Sequence, residues 1–360
     1  MPAQADPELA AELAKATLDI YTRTVERLLT IIARRLADGI DQPGWPERKL
    51  AEQVALRNQI QAIVTGLDSH APATVEAALA HAYQLGGLHA DRELAATGIT
   101  PVATEPGNRP LAALLRETIA GITSTHGQIA RSALDIYQRT ITEASLPGVL
   151  TGTMTRRQAA QAALDRFANQ GITGFVDRSG RNWQLDSYVE MATRTGAGRA
   201  QVAGTLDRFE ANGRDLVIVS DAPQECSKCR PWEGRILSIS GVRVGERLSD
   251  GRRVVASVAT ARTAGLLHAN CRHQLGAYVE GLTRPMTHTS DPEGDAARQQ
   301  QRYLERMVRQ WKRRQIAALD PAAERQAAGK VRDWQRALRE HVAAHDLKRL
   351  RAREQVGRAL

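Results

Sequence analysis

All three cysteines of this chain fall between residues 226 and 271. Cys226 and Cys229 form a C-x-x-C, and Cys271 sits in an H-x-x-C-x-H with His268 and His273. A C-x-x-C turn brings two thiolates to one side of a tight loop, where both can reach one tetrahedral ion. A second knuckle must then supply two more ligands, and His268 with Cys271 repeats the same two-residue gap. Structural zinc sites are built from such paired knuckles. The spacing predicts a structural zinc held by Cys226, Cys229, His268 and Cys271, with His273 as the alternative fourth ligand. Two other uses of the thiols stay open, reduced thiols in a polar knot and a redox pair. A redox pair usually sits at a strand-to-helix turn, whereas Pro231, Trp232 and Gly234 read as a loop entering a strand. The zinc deaminase order, H-x-E followed by P-C-x-x-C, is not met. Nor is the finger pattern, whose short loop and H-x-x-x-H are both missing.

The knuckles need elements to hold them. Val217-Ile218-Val219 is a short apolar strand just before the first knuckle. Between the knuckles, Arg235 to Ile239 alternates as a strand does, and Asp250-Gly251 is a hairpin turn signal ahead of Val254-Val255. The segment 230–267 is too long for a finger and must fold within a larger domain, with the metal stapling its ends. Upstream, Phe175 to Trp183 reads as a hairpin about a Ser179-Gly180 turn. Asp186 or Ser187 then caps a helix running to about 211, and Asn212-Gly213 turns the chain into the 217–219 strand.

The N-terminal part is helical. Leu18, Tyr21, Val25, Leu28, Leu29, Ile32 and Leu36 fall on one face of a helix over 17–38 that stops at Gly39. A second helix is expected over 47–66, burying Leu50, Val54, Ala55, Ile60 and Ile63. Ser69 to Pro72 should break it. A third follows over 72–97 with Val75, Leu79, Ala82 and Leu85, weakened by Gly86-Gly87. A linker spans 98–109. Helices are then expected over Leu111 to Gly121, Ile129 to Glu143 (ended by Pro147-Gly148), and from a Thr155 cap to about 169. Leu134 to Thr140 matches Leu18 to Thr24 at six of seven positions, which reads as one packing solution used twice rather than a duplication.

The chain has 360 residues, 4% aromatics and a net charge of +9. Residues 294–360 hold 17 basic and 8 acidic side chains, so the whole excess lies there and residues 1–293 are neutral. A local basic segment argues for a polyanionic partner, nucleic acid or an acidic protein face. Tyr303, Leu304, Met307, Val308 and Trp311 form one apolar stripe in this tail. Val331, Trp334, Leu338 and Val342 form another, beyond a break at Pro321. Arg309, Lys312, Arg313, Arg314, Lys348, Arg349, Arg351 and Arg353 are the candidate contacts to DNA or an acidic surface, while Trp311 and Trp334 read as packing anchors. The chain has no apolar run of about 18 residues to span a membrane. Its N-terminus lacks the basic and apolar regions of a signal peptide, and three cysteines in metal spacing suit a reducing compartment.

The expected fold is α+β. A helical region covers 1–98 and a second helical segment 110–170. A small α+β domain stapled by the zinc knuckle pair covers 171–285, and a basic helical tail covers 294–360.

Gly171 to Trp183, Tyr188 through Arg194-Thr195, the C-x-x-C-x-P-W-x-G knuckle and His268-Ala269-Asn270-Cys271-Arg272-His273 together resemble the tailed-phage minor capsid protein 2 family. That family is related to the Mu-F-type head morphogenesis proteins, where H-x-N-C-R recurs. The similarity is strongest over 171–282 and extends to Trp311-Lys312-Arg313-Arg314 and Trp334-Gln335. Pro commonly stands between the His and Asn in the family. Ala269 stands there in this chain; proline favours a rigid turn, so the departure weakens the likeness of the knuckle but removes no ligand. The resemblance implies a minor head component associated with the portal and other capsid proteins, inside the virion near packaged DNA and in the host cytoplasm during assembly. It implies no membrane and no small-molecule substrate.

Two function classes follow. One is a non-enzymatic assembly protein whose zinc is structural. The alternative is an enzyme carried in the head. It would be a metal-dependent nuclease with His273 as fifth ligand or general base near Asp221 and Glu225, or an ADP-ribosyltransferase-like scaffold with Arg194 on a dinucleotide. Against the latter, Arg194 sits mid-helix, four residues from Glu190, with which it can pair.

Overall fold

The computed structural model describes residues 7–102, 108–145, 153–170, 175–176, 180, 182–222, 224–269, 271–283 and 290–356. Most of them are helical. The helices are α1 (Pro7–Ala37), α2 (Trp45–Ala51), α3 (Gln53–Ala96), α4 (Asn108–Thr123), α5 (His126–Glu143) and α6 (Arg156–Gln170). A two-residue antiparallel pair, β1 (Phe175–Val176) and β2 (Asn182–Trp183), precedes α7 (Leu185–Ala211). Then come β3 (Leu216–Val219), β4 (Ile236–Ser238), β5 (Val254–Ser257), α8 (Val258–Thr263) and β6 (Leu275–Ala277), followed by α9 (Pro292–Ile316) and α10 (Pro321–Ala344). The expected α+β class holds. The Ser179 half of the hairpin turn, Pro147-Gly148 and Asn270 lie outside the described residues.

The chain divides into two discontinuous units, one of Met1–Ala16, Ala73–Ala120 and Glu190–Arg298, the other of Thr17–Pro72, Gly121–Val189 and Gln299–Leu360.

The first unit carries the sheet. Its strand order is β5-β4-β3-β6, with β3 antiparallel to both neighbours and β4 parallel to β5. All three residues of β4 are buried, so the alternation expected around Ile236 is replaced by burial on both faces. Val217, Val219, Leu237, Ala256, Leu275 and Ala277 join Ala90 and Leu94 of α3 and Val202 and Phe209 of α7 in one core. The crossing of α3 and α7 depends on two glycines. A methyl group on Gly86 would stand 1.9 Å from the Gln201 carbonyl oxygen, and one on Gly204 would stand 2.0 Å from that of Tyr83. Gly86 lets the two backbones touch. The Thr205 hydroxyl seals the contact by donating to Gly86 O at 3.0 Å.

In the second unit, Tyr21, Val25, Leu28, Leu29, Ile32 and Leu36 of α1 are buried as their spacing predicts. The expected 47–66 helix is two helices. Glu52 ends α2, its N–H bonding the Arg48 and Leu50 carbonyls, and α3 follows at Gln53. Leu56, Ile60, Ile63 and Val64 are buried, while Leu50 and Val54 are exposed. The break expected at Pro72 does not occur, because α3 continues through it for 44 residues. A helix-interior proline costs about 3 kcal/mol. Leu67, Ala71, Val75 and Leu79 around it are all buried, and burying one large aliphatic side chain contributes about 1.5–3 kcal/mol. Thr155 caps α6 as expected, in a reciprocal box. Its hydroxyl accepts from Gln158 N at 3.1 Å, while Gln158 Oε1 accepts from Thr155 N at 2.9 Å. The two matching heptapeptides place Tyr21 and Tyr137 alike, both buried with their hydroxyls bonded, to His126 Nε2 at 2.6 Å and to the Lys49 carbonyl at 3.1 Å.

Asp186 is not the cap of α7. It lies inside the first turn, buried, with its carboxylate 3.2 Å from Arg313 and 3.5 Å from Arg309 of α9.

Candidate metal centre

The register of β3 and β6 builds the centre. Val219, the last residue of β3, pairs with Leu275, the first of β6. Ser220 N donates to Gln274 O at 2.9 Å, and Gln274 N to the Ser220 hydroxyl at 3.0 Å, extending the ladder by one step. The chain leaving β3 and the chain entering β6 therefore emerge at the same end of the sheet. The first forms the Cys226–Cys229 knuckle and the second the His268–Cys271 knuckle.

Both knuckles close with the same backbone bond. Cys229 N donates to Cys226 O at 3.1 Å, and Cys271 N donates to His268 O at 2.9 Å. The backbone bends sharply beside each, with Gln224 at φ 56 and Leu267 at φ 57, in a region that non-glycine residues enter only when the surroundings impose it. After Cys229 a short 3₁₀ turn, Arg230–Trp232, and Gly234 at φ 68 lead into β4.

The side chains converge. Cys226 Sγ lies 2.9 Å from His268 Nε2, and Cys229 Sγ lies 3.6 Å from Cys271 Sγ. Cys271 Sγ is 3.3 Å from His273 Nδ1. Two overlapping groups, Cys226–Cys229–His268 and Cys229–Cys271–His273, each bring their donor atoms within 4.8 Å of one another. Tetrahedral ligation at zinc–sulfur distances of about 2.3 Å puts two sulfurs about 3.7 Å apart, so the Cys229–Cys271 spacing fits an ion. The donor set, three thiols and imidazole nitrogen beside an apolar core, could hold a metal ion.

Each histidine has its second nitrogen occupied. His268 Nδ1 lies 2.7 Å from the Ala269 carbonyl, which leaves Nε2 turned to Cys226. His273 Nε2 lies 2.6 Å from Glu233 Oε1, which leaves Nδ1 turned to Cys271. Such outer partners fix tautomer and orientation in metal-binding histidines. His273 and Glu233 are both buried. Glu233 was not among the residues singled out from sequence; its carboxylate also accepts from Ala222 N at 3.1 Å.

The thiols compete for protons. The hydrogen bond from Cys229 and the nearby His273 hold Cys271 below an ordinary thiol, against its burial. Cys229 is pushed up by its bond to Cys271, then by burial and by the neighbouring sulfurs. A cation would relieve this crowding by binding the deprotonated forms.

The carboxylates considered for catalysis are engaged in structure. Glu225 is buried, bonds Arg230 at 2.6 Å and accepts from Asp291 N at 3.1 Å. Asp221 is buried. Arg194 pairs with Glu190 at 3.4 Å, as its spacing allows.

The candidate tail contacts are divided by the fold. Arg309 and Arg313 are only 7% and 2% exposed and turn inward to Asp186, so they present no surface charge. Lys312 bonds Gln355 at 2.8 Å. Arg314 bonds Asn169 at 2.8 Å and lies 4.3 Å over the Trp311 ring. Arg349 makes a two-pronged pair with buried Glu354 at 2.6 and 2.7 Å. Arg353 is half-buried, while Lys348 and Arg351 are exposed. Trp334 is half-buried and meets Tyr303 edge-on at 6.1 Å, as a packing anchor does.

Taken with this architecture, comparison with known proteins defines the class. The chain belongs to the phage minor capsid protein 2 family, whose model matches residues 5–343. Over 225 residues it is 29% identical to a structural protein of Lactococcus phage LL-H, covering 59% of this chain and 59% of that protein. The matched part thus spans less than two thirds of that relative. A structural protein of Lactococcus phage mv4 is 37% identical over 90 residues, 23% of this chain and 73% of that one. No solved structure matches the chain. Among the described residues, no helix is long and apolar enough to cross a membrane.

Proposed function

We propose that this protein is a minor head component that works in assembly at the portal-proximal interior of the capsid. It meets the portal and other capsid proteins there, contacts packaged DNA through its basic tail, and resides in the host cytoplasm before incorporation. The observation that carries this reading is family membership across nearly the whole chain. In this reading the Cys/His cluster holds zinc as a staple, with Cys226, Cys229, His268 and Cys271 as ligands and His273, braced by Glu233, beside them. The ion ties together the two ends of the 230–267 segment and fixes the corner of the sheet. The role is structural rather than catalytic, since Glu225 is committed to Arg230 and Arg194 to Glu190.

The test is crosslinking mass spectrometry on purified virions, before and after DNA release. Crosslinks to the portal in intact particles are expected, with the protein protected from external protease. A protein absent from virions, or crosslinked only to outer tail components, sinks the reading.

A further inference from the structure

The fold moves the tail's free charge to a place that composition did not indicate. With Arg309 and Arg313 buried, the longest exposed cationic row in the described tail is on α10. Arg325, Arg332, Arg336 and Arg339 are all exposed and follow one another at steps of seven, four and three residues. At 3.6 residues per turn they fall within a stripe of about 60°, running about 21 Å along the helix. The opposite side of the helix is the packed one, where Ala327, Val331 and Leu338 are buried.

Few acids offset the row. Arg336 pairs with Asp333 at 3.1 Å, but both are well exposed, and such a pair contributes about 0–1 kcal/mol. Asp333 and Glu340 flank the stripe without interrupting it. Gly329 lies on the same side, between Arg325 and Arg332. A helix-interior glycine costs about 1 kcal/mol relative to alanine. Among the described residues nothing requires this one, since a methyl group there would meet only the Arg332 guanidinium, 3.9 Å away. What Gly329 provides is a gap in side-chain bulk between two arginines, where an external backbone can come close.

We propose that the Arg325–Arg332–Arg336–Arg339 face of α10 binds the phosphate backbone of duplex DNA. The inference deepens the DNA contact proposed above and rests on it. Phosphates of one strand recur every ~3.4 Å along the duplex axis while the strand winds round it about once in 10 base pairs, so a straight row of about 21 Å meets a few of them, about one for each arginine. Guanidinium groups match phosphate in a fixed two-pronged geometry. No base-reading element accompanies the row, so the binding is independent of sequence and governed by salt.

The experiment uses the full-length protein and a labelled 30-base-pair duplex of arbitrary sequence, titrated from 50 to 200 mM salt. The wild type is compared with R325A/R332A/R339A and with K348A/R351A, and polyglutamate serves as a second probe. Alanine favours helix, and equal melting temperatures verify folding. Each lost phosphate contact removes about 0.9 from the slope of log affinity against log salt, so the triple variant is expected to bind with a slope shallower by about 2 to 3. An unchanged slope in a wild type that does bind the duplex overturns the α10 assignment while leaving the DNA contact standing. No duplex binding by the wild type overturns both. Loss of polyglutamate binding alone in the triple variant assigns the face to an acidic protein instead.

Discussion

Asp186 and Arg313 meet at 3.2 Å with both side chains buried, one in the first turn of α7 and the other near the end of α9. Arg313 also donates to the Ala168 carbonyl and to Gln184 Oε1, at 3.2 and 2.7 Å. Removing one partner of a buried pair strands the other, at a cost of about 3–5 kcal/mol. Arg313→Ala is therefore expected to destabilise the second unit by that order, read as a fall in the denaturant midpoint. Lys348→Ala, at an exposed residue, should change it by less than about 0.5 kcal/mol.

The same carboxyl sets an acid limit. Burial alone would raise the Asp186 pKa, but the charges of Arg313 and Arg309, with backbone hydrogen bonds such as that from Ser187 N, together hold the group below its ordinary value. A depressed carboxyl stabilises fully above its unfolded pKa, about 3.9, and that stability is lost as pH falls through the folded value. Unfolding free energy should thus carry no Asp186 contribution to its slope above about pH 5 and should drop below about pH 4. Asp186→Asn should be less stable at neutral pH and flatter at the acid end. Parallel curves for the two proteins would refute the assignment.

Purified protein is expected to hold one equivalent of zinc by elemental analysis. Cys226→Ser and Cys271→Ser should lose it and melt at lower temperature, because the binding free energy of a structural ion is folding free energy. His268→Ala should lose the ion as well. His273→Ala should retain it but bind it about 10–100-fold more weakly, as expected for an outer residue. The reverse pattern would make His273 the fourth ligand.

Glycines in helices usually gain stability on replacement by alanine. Gly329→Ala should follow that rule, by up to about 1 kcal/mol. Gly86→Ala and Gly204→Ala should reverse it, since their methyl groups would land 1.9 and 2.0 Å from backbone oxygens of the facing helix. Overpacking costs about 1–3 kcal/mol, so both are expected to lower the thermal midpoint.

What the sequence made legible was local. Ligand spacing of two residues at both knuckles announced the turns, and both formed. The Thr155 cap and the α1 core face followed equally short-range rules. What it hid depends on partners far along the chain. The pairing of Val219 with Leu275 that brings the knuckles together leaves no mark at either residue, and Glu233 gives no sign that it braces His273. Asp186 at a helix start looks like a cap, yet its true partners lie more than a hundred residues on. Arginines 309 and 313 look like surface charge, because an arginine bound for a buried carboxylate is written with the same letter. Pro72 misleads in the other direction, since its local penalty is outweighed by packing on both sides.

The division of the chain also bears on when the protein can fold. Each unit gathers three separated segments, and the second draws on residues 17–72 as well as on those beyond 299. At about 5–20 residues per second, a ribosome needs tens of seconds to travel from the first segment to the last. The early helices must wait through that interval without their core partners, exposed to chaperones or to each other. A chain cut short at any point before α10 leaves the second unit without Ala327, Val331 and Leu338, which that helix buries.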